Sequence, residues 1–335
     1  MLKLSFILPC YNVAPYFGRC IESIEHQDIP QLEYEVICVD DCSKDNTAEV
    51  ICEYQKQYPN IRLISHTENK TAGGARNTAL AEAKGQYIWC VDPDDSIVSN
   101  TLKALLDKAD KQNLDMLLFN LSYREEDGSE QIKQLYQEVD AVHTGIEFTT
   151  LCCAPKYMYN VASHTCCLYR RVFLEQNNIL YPEIRSSQDV IFVWHSILLA
   201  QRVSTVDKVC YNVFRRPNST TGSIGKLRAN AVISASLLYA NEINGLRSLN
   251  KDERIDKNLL FEMRLTLDDD SRKILRTTLI EQRLFYHEIC HYAVMVDQYK
   301  YLMNRKTKMI FNYHLPYPLW QMVIWGYMFI RKCRV

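Results

Sequence analysis

The stretch Gln86-Tyr87-Ile88-Trp89-Cys90-Val91-Asp92-Pro93-Asp94-Asp95 decides how the chain is read. Five apolar residues, Tyr87 to Val91, carry the backbone as a buried strand, and three carboxylates follow with no spacer. Hydrophobic burial gives no reason for that ending. Like charges crowded at the mouth of a sheet repel one another. The crowding persists when something positive sits among them, most simply a divalent cation with an anionic ligand. The plainer alternative is an acidic turn, since Asp and the following Ser96 are common turn and helix-cap residues.

The segments before this stretch repeat its strand-then-polar plan. Leu2 to Leu8 reads as a strand ending at Pro9, with Cys10-Tyr11-Asn12 turning after it, and Ala14 to Gln27 has helical spacing with Phe17, Cys20, Ile21 and Ile24 on one face. Tyr34 to Val39 is a second strand running into Asp40-Asp41-Cys42-Ser43, and Ser43 or Asp45 caps a helix to about Gln57. Ile61 to Ser65 is a third strand. Ala72-Gly73-Gly74-Ala75-Arg76-Asn77 then opens an alanine-rich helix, with the glycines letting the backbone turn and Gly85 serving as a left-handed cap. A helix from Leu102 to Lys111 and a strand from Asp115 to Leu121 continue the alternation. Such alternation predicts an α/β fold with a mostly parallel sheet covered on both faces. Ligands of such sheets lie outside the carboxyl ends of the strands, and four strand ends here carry polar groups at one rim.

Composition narrows the partners. With 39 basic and 40 acidic residues the chain has no net field for gripping nucleic acid, and its apolar share of 47% supports a sizeable core. The 13 cysteines lack zinc-site spacing: Cys10, Cys38, Cys52 and Cys90 fall in apolar patterns where Cys behaves as a small hydrophobe, and Cys152/Cys153 and Cys166/Cys167 are adjacent pairs. An odd thiol count and an N-terminal apolar run too short for a secretory leader favour a reducing cytosol.

The chain resembles the inverting glycosyltransferases of family 2, which have the GT-A, Rossmann-like architecture. The resemblance is carried by Ser5 to Asn12, Val39 to Thr47, Gly73 to Asn77 and Val91 to Asp95, in the family's order over roughly the first 100 residues. One later element, Gln188-Asp189-Val190-Ile191-Phe192, is similar to the family's Glu-Asp catalytic motif, with Gln188 in place of Glu. The resemblance implies a metal-dependent sugar transferase that uses a nucleoside diphosphate sugar, most simply a UDP-sugar, and acts on a glycan or lipid-linked acceptor in cell-surface polysaccharide synthesis. It implies that Pro9, Tyr11, Asn12, Asp40, Asp41, Gly73, Arg76 and Asp92 line the nucleotide. Tyr11 would stack on the base, Asp41 accept from it, and Arg76 lie near the diphosphate or base. Asp94, with Asp92, would hold Mg²⁺ or Mn²⁺. Asp189 would be the base on the face opposite the leaving group, although it also suits the cap of a helix from Val190 to Ala200. The same resemblance divides the chain into a GT-A domain at 1–225, with a nucleotide half at 1–120 and an acceptor half at 121–225, and a helical extension at 226–335.

The remaining features are less specific. Ser163, His164 and Thr165 read either as acceptor contacts or as a solvated loop; for Arg215, Arg216 and the loop Pro217 to Ser223 the family resemblance implies a loop closing over the diphosphate, and the alternative is plain loop composition. Asp268-Asp269-Asp270-Ser271 suits an acidic first helical turn. His287-Glu288-Ile289-Cys290-His291 matches the zinc-protease pattern H-E-x-x-H, but no Glu follows Glu288 to supply a third ligand. Leu315 to Val335 joins aromatic residues to Arg331, Lys332 and Arg334, which suits peripheral attachment at the inner face of a membrane; the alternative is packing on the protein or on a second copy in a homo-oligomer. Two other functions fit the first 100 residues: a nucleotidyltransferase, whose glycine-rich loop after the first strand is replaced here by Pro9 to Asn12, and a noncatalytic sugar-nucleotide-binding protein.

Overall fold

The computed structural model describes residues 2–125, 127–133, 136, 139–151, 163–182 and 188–215, and beyond these 293–299, 314–332 and isolated positions between 241 and 312. Contacts divide the chain into one unit of Met1–Glu183 with Gln188–Ser219 and another of Ile184–Ser187 with Thr220–Val335.

In the first unit, β1 (Leu4–Cys10), α1 (Ala14–Glu25), β2 (Tyr34–Asp40), α2 (Thr47–Gln57), β3 (Ile61–Ser65), α3 (Thr71–Glu82) and β4 (Tyr87–Cys90) alternate as the hydrophobic pattern predicts. There follow β5 (Ser96–Ile97), α4 (Leu102–Lys111), β6 (Met116–Arg124), β7 (Glu130–Lys133), β8 (Val139–His143), α5 (Gly145–Leu151), β9 (Cys167–Arg170), α6 (Arg171–Gln176), α7 (Gln188–Leu199) and β10 (Val203–Phe214). They form a sheet of order β3-β2-β1-β4-β9-β6-β10-β5, with β7 paired to β6 and β8 to β10. The first four strands are parallel neighbours, whereas β9 lies antiparallel between β4 and β6. The chain runs β1 to β3 in one direction and returns to β4 on the other side of β1. Right-handed crossovers therefore put α1 and α2 on one face and α3 on the other, and the gap between the ends of β1 and β4 becomes the switch point where a ligand fits.

Three residues have roles the pattern did not predict. Pro9 does not end β1: the strand continues to Cys10, paired through Pro9 to Val39 and Cys10 to Asp40. Pairing with β4 stops near Ile7, whose carbonyl accepts from Val91, so the N–H that Pro9 lacks would point past the end of β4. Gly85 is not a left-handed cap. Its backbone lies outside that region, and its need for glycine is steric, because a Cβ there would sit 2.4 Å from the backbone of Leu4 and Ser5. Cys52 is exposed, since it stands one residue past the buried Ile51 and so points about 100° away from it around α2.

The core is continuous across the change of strand direction: Trp89 of β4 lies 5.8 Å from Phe6 of β1 and 4.8 Å from Phe119 of β6, centroid to centroid. In the second unit, α8 (Ala293–Tyr299) and α9 (Tyr317–Lys332) are described. On α9, Trp320 and Ile324 are buried, with the Trp320 indole donating to the Ile310 carbonyl, while Leu319, Met322 and Val323 are exposed. Among the described residues no helix is long and apolar enough to cross a membrane.

Candidate active site

The rim above β1, β2 and β3 is tied together by its own polar groups. Asn12 takes a left-handed φ of 52°, which Asn tolerates better than most residues. From there its N–H donates to Ser43 Oγ at 3.0 Å and its Oδ1 accepts from the Lys44 N–H at 2.7 Å. Ser43 in turn donates its hydroxyl to Asp40. Thr47, at the start of α2, accepts from the N–H groups of Val13 and Ala14, and Asp45 accepts from Thr47. Asp41 is 2% exposed, and its Oδ1 takes both the Lys70 N–H and His66 Nδ1 at 2.8 Å. Asp41 Oδ2 is outside those bonds and so suits a donor from a base. Tyr11 stands 45% exposed at the edge of this rim, where a ring can stack without moving anything. Gly73 and Gly74 lie inside the first turns of α3 rather than before it. A Cβ on Gly73 would sit 3.0 Å from the Pro182 carbonyl oxygen, a contact tight enough that the Pro182 backbone would have to give by a few tenths of an ångström.

The three carboxylates after β4 separate into three roles. Asp95 turns inward, taking the Tyr211 hydroxyl at 2.9 Å and the Phe214 N–H at 2.9 Å from β10. Burial, and then the charges of Asp94 and Asp92, push its carboxyl well above the ordinary range. Asp92 receives Nη2 of the buried Arg76 at 2.7 Å, while its N–H donates to Tyr211. Burial alone would raise the Asp92 carboxyl, but the Arg76 charge and a smaller contribution from His164 hold it well below the usual carboxylate range. Asp94 sits between them with partial exposure, and its carbonyl accepts from Arg19, whose guanidinium lies 3.5 Å from the centroid of the Phe214 ring. Part of the positive charge the acidic stretch requires thus comes from Arg76 within the protein.

A second cluster meets Asp92 from the far side. Because β9 is antiparallel to β4, with Trp89 opposite Leu168, the turn His164–Cys166 that precedes β9 arrives beside the end of β4. The Trp89 indole anchors that turn by donating to the Thr165 carbonyl at 2.7 Å. His164 and Thr165 are each 4% exposed, so this segment is not a solvated loop. The His164 ring places Nε2 3.7 Å from Asp92 Oδ1 and Nδ1 3.9 Å from Asp189 Oδ2. Asp189 lies in the first turn of α7, which begins at Gln188, and is 37% exposed. Tyr181 holds the cluster in place: its ring stacks on Phe192 of α7 at 4.0 Å, meets His164 edge-on at 5.7 Å, and lies 5.2 Å below the Arg76 guanidinium. Asn77 fixes its backbone through two hydrogen bonds. Both nitrogens of His164, and Nε and Nη1 of Arg76, lack hydrogen-bond partners among the described residues. Each buried group left in that state costs about 1–3 kcal/mol unless a ligand or water supplies the bond.

The family profile described as Glycosyl transferase family 2 matches residues 5–177, just over half of the chain. The chain belongs to glycosyltransferase family 2. Poly(ribitol-phosphate) beta-N-acetylglucosaminyltransferase TarS of Staphylococcus aureus is 29% identical over 290 residues, covering 82% of this chain and 48% of its own length. A poly(ribitol-phosphate) beta-glucosyltransferase of Bacillus spizizenii is 31% identical over 61% of this chain and 31% of its own length. The chain thus spans half or less of these curated relatives. The crystal structure of S. aureus TarS 1-349 in complex with UDP superposes with a TM-score of 0.68 at 25% identity, over 98% of this chain and 91% of that one. The mannosyltransferase PcManGT of Pyrobaculum calidifontis, solved with GDP-Man and Mn²⁺, shares the fold at a TM-score of 0.52 and 14% identity, over 96% and 85% of the two chains. The GT-A α/β architecture and the membership of glycosyltransferase family 2 expected from the sequence are both borne out.

This glycosyltransferase builds no cation cage from protein alone: among the described residues no three His, Cys, Asp or Glu side chains cluster as metal ligands. Two carboxylates completed by diphosphate oxygens and water are nevertheless a set that Mg²⁺ or Mn²⁺ accepts. Burial first, and then the negative field of Asp94 and Asp92, raises Asp95; such an ion would relieve that field, so Asp92 and Asp94 fit a shared protein–substrate site. The other sequence candidates are engaged elsewhere or lie outside the described residues. Arg215 is engaged by Glu125 at 3.0 Å and lies over the Tyr123 ring. The loop 217–223, the acidic run 268–271, and Glu288 and His291 of the H-E-x-x-H stretch lie outside the described residues.

Proposed function

We propose that this glycosyltransferase moves a hexose or N-acetylhexosamine from a UDP-sugar to a hydroxyl of a polymeric or lipid-linked acceptor, inverting the anomeric centre. The observation that carries this is the single imidazole of His164, which lies within 4 Å of both Asp92 and Asp189. That proximity supports a reading in which the acidic loop and the carboxylate assigned as base act on one substrate, as an in-line displacement requires. Tyr11 and Asp41 supply a stacking face and an acceptor for the base. Asp189 takes the proton of the acceptor hydroxyl as its oxygen attacks the anomeric carbon, and the diphosphate departs on the opposite face toward Arg76 and the acidic loop. A divalent cation held by Asp94 and Asp92 would stabilise the growing charge on that diphosphate as a Lewis acid. The use of a UDP-linked donor is supported by the likeness to TarS, whose structure holds UDP. The exposed apolar side of α9 and the basic end of the chain favour work at the inner face of a membrane.

The test is turnover of a panel of UDP-, GDP- and dTDP-sugars with Mn²⁺, reading nucleoside diphosphate release and the anomeric configuration of the product by NMR. Release from UDP-sugars with an inverted product is expected. Preference for GDP- or dTDP-sugars, or retention of configuration, would overturn the donor or the mechanism respectively.

A further inference from the structure

We infer that His164 hydrogen-bonds a hydroxyl of the transferred sugar and so selects the sugar, an inference that rests on the sugar-transfer reading above. Inversion places the departing diphosphate and the general base on opposite sides of the anomeric carbon, so the sugar ring must lie along the line between Asp92 and Asp189. The imidazole has one nitrogen within 4 Å of each of these carboxylates. At 3.7 and 3.9 Å neither contact is a hydrogen bond, so both nitrogens keep unused hydrogen-bonding capacity. The ring is 4% exposed and has no partner on either nitrogen among the described residues, the state of a group whose hydrogen bonds a bound molecule can complete. An imidazole always offers at least one N–H donor, and when neutral it offers an acceptor as well, which matches the mixed donor and acceptor character of a sugar hydroxyl. The ring is also held rigidly. The turn that bears it is tied to Trp89, and the ring packs perpendicular to that of Tyr181, so it presents a fixed direction rather than a mobile side chain.

The experiment titrates wild type, His164→Ala and His164→Gln with UDP, UDP-glucose and UDP-N-acetylglucosamine in the presence of Mn²⁺ by calorimetry, with kcat and KM measured for the UDP-sugar that wild type binds more tightly. Both variants should bind UDP within about twofold of wild type, while His164→Ala loses roughly tenfold in affinity for that UDP-sugar, the size expected for one neutral hydrogen bond in a buried site. His164→Gln, which keeps a donor and an acceptor, should recover part of the loss. Equal losses for UDP and UDP-sugar would show that the ring only props the loop, and unchanged affinity for both would show that it touches nothing; either result overturns the inference. The wild-type arm separates this from the underlying reading. A wild-type chain that binds neither UDP nor either UDP-sugar refutes the donor assignment and the inference with it, whereas wild-type binding that the variants leave untouched refutes the inference alone.

Discussion

The rim over β1 to β3 and the cluster around His164 are built from similar residues and spend them differently. At the rim nearly every polar group answers another: Asn12 to Ser43 and Lys44, Asp41 to His66 and Lys70, Thr47 to Val13 and Ala14. Around His164 the buried ring faces Asp92 and Asp189 at distances too long to bond. The rim is therefore in its working shape before anything binds, and its bonds contribute to folding. The transfer cluster holds back hydrogen bonds that only a bound molecule can complete, so the fold carries their cost. Substitutions should separate along that line, with rim changes lowering stability and nucleotide affinity and cluster changes lowering turnover at little cost to the fold.

The largest expected effect is at Asp189. Asp189→Asn should lower kcat by about 10³-fold or more through loss of the base, while melting temperature and UDP affinity stay at wild-type values; near-normal turnover in rapid-quench assays would remove the base assignment. Next is Asp94→Ala, for which Mn²⁺ should no longer strengthen UDP binding. Calorimetry with Mn²⁺ and with EDTA should give the same weak affinity, and a persisting metal effect would place the ion elsewhere.

A paired comparison follows. Asp41→Ala should cost about 2–3 kcal/mol of stability, because it strands the Lys70 N–H and the His66 ring. His164→Met should leave urea stability unchanged or raise it by about 1 kcal/mol, since it removes buried nitrogens that no described residue satisfies. If both substitutions destabilise alike, the contrast between the two regions is lost.

The smallest effect is in acid. The carboxyl of Asp92 is depressed in the folded state relative to its unfolded value of about 4. Its pairing with Arg76 therefore contributes fully above about pH 4 and is lost as pH falls through the folded value. Urea midpoints measured from pH 7 to pH 3 should fall more steeply at the acid end for wild type than for Asp92→Asn. Equal slopes would mean that the Arg76 pair is not what holds Asp92.

The two regions also differ in how far the sequence reveals them. The rim is spelled out in short strings, because a parallel strand and the turn after it are adjacent in sequence; Tyr11, Asp41 and the Asp92 to Asp95 loop were each visible as polar residues following apolar runs. The cluster is not local. Its assembly needs β9 to enter the sheet antiparallel beside β4, which brings His164 to a partner 72 positions earlier in the chain. No periodicity announces that pairing, so His164 read equally well as solvated loop. Tyr181 and Tyr211 gave no signal either, since a buried tyrosine is unremarkable until its ring or hydroxyl is seen to hold another residue in place. Asp189 was legible only through resemblance. Gly85 was noticed for the wrong reason, because a steric demand made by β1 from 80 residues away looks the same in sequence as a turn.

The antiparallel insertion of β9 has a consequence for how the protein is made. During synthesis β1 to β4 emerge first, and one side of β4, with Ile88 and Trp89, has no strand beside it until Leu168 and Tyr169 leave the ribosome. The early half is then a sheet with an open hydrophobic border, the kind of border that recruits other chains. A recombinant fragment ending near residue 125 keeps that border permanently and is expected to aggregate, and a fragment extended through β9 is the shortest that closes it.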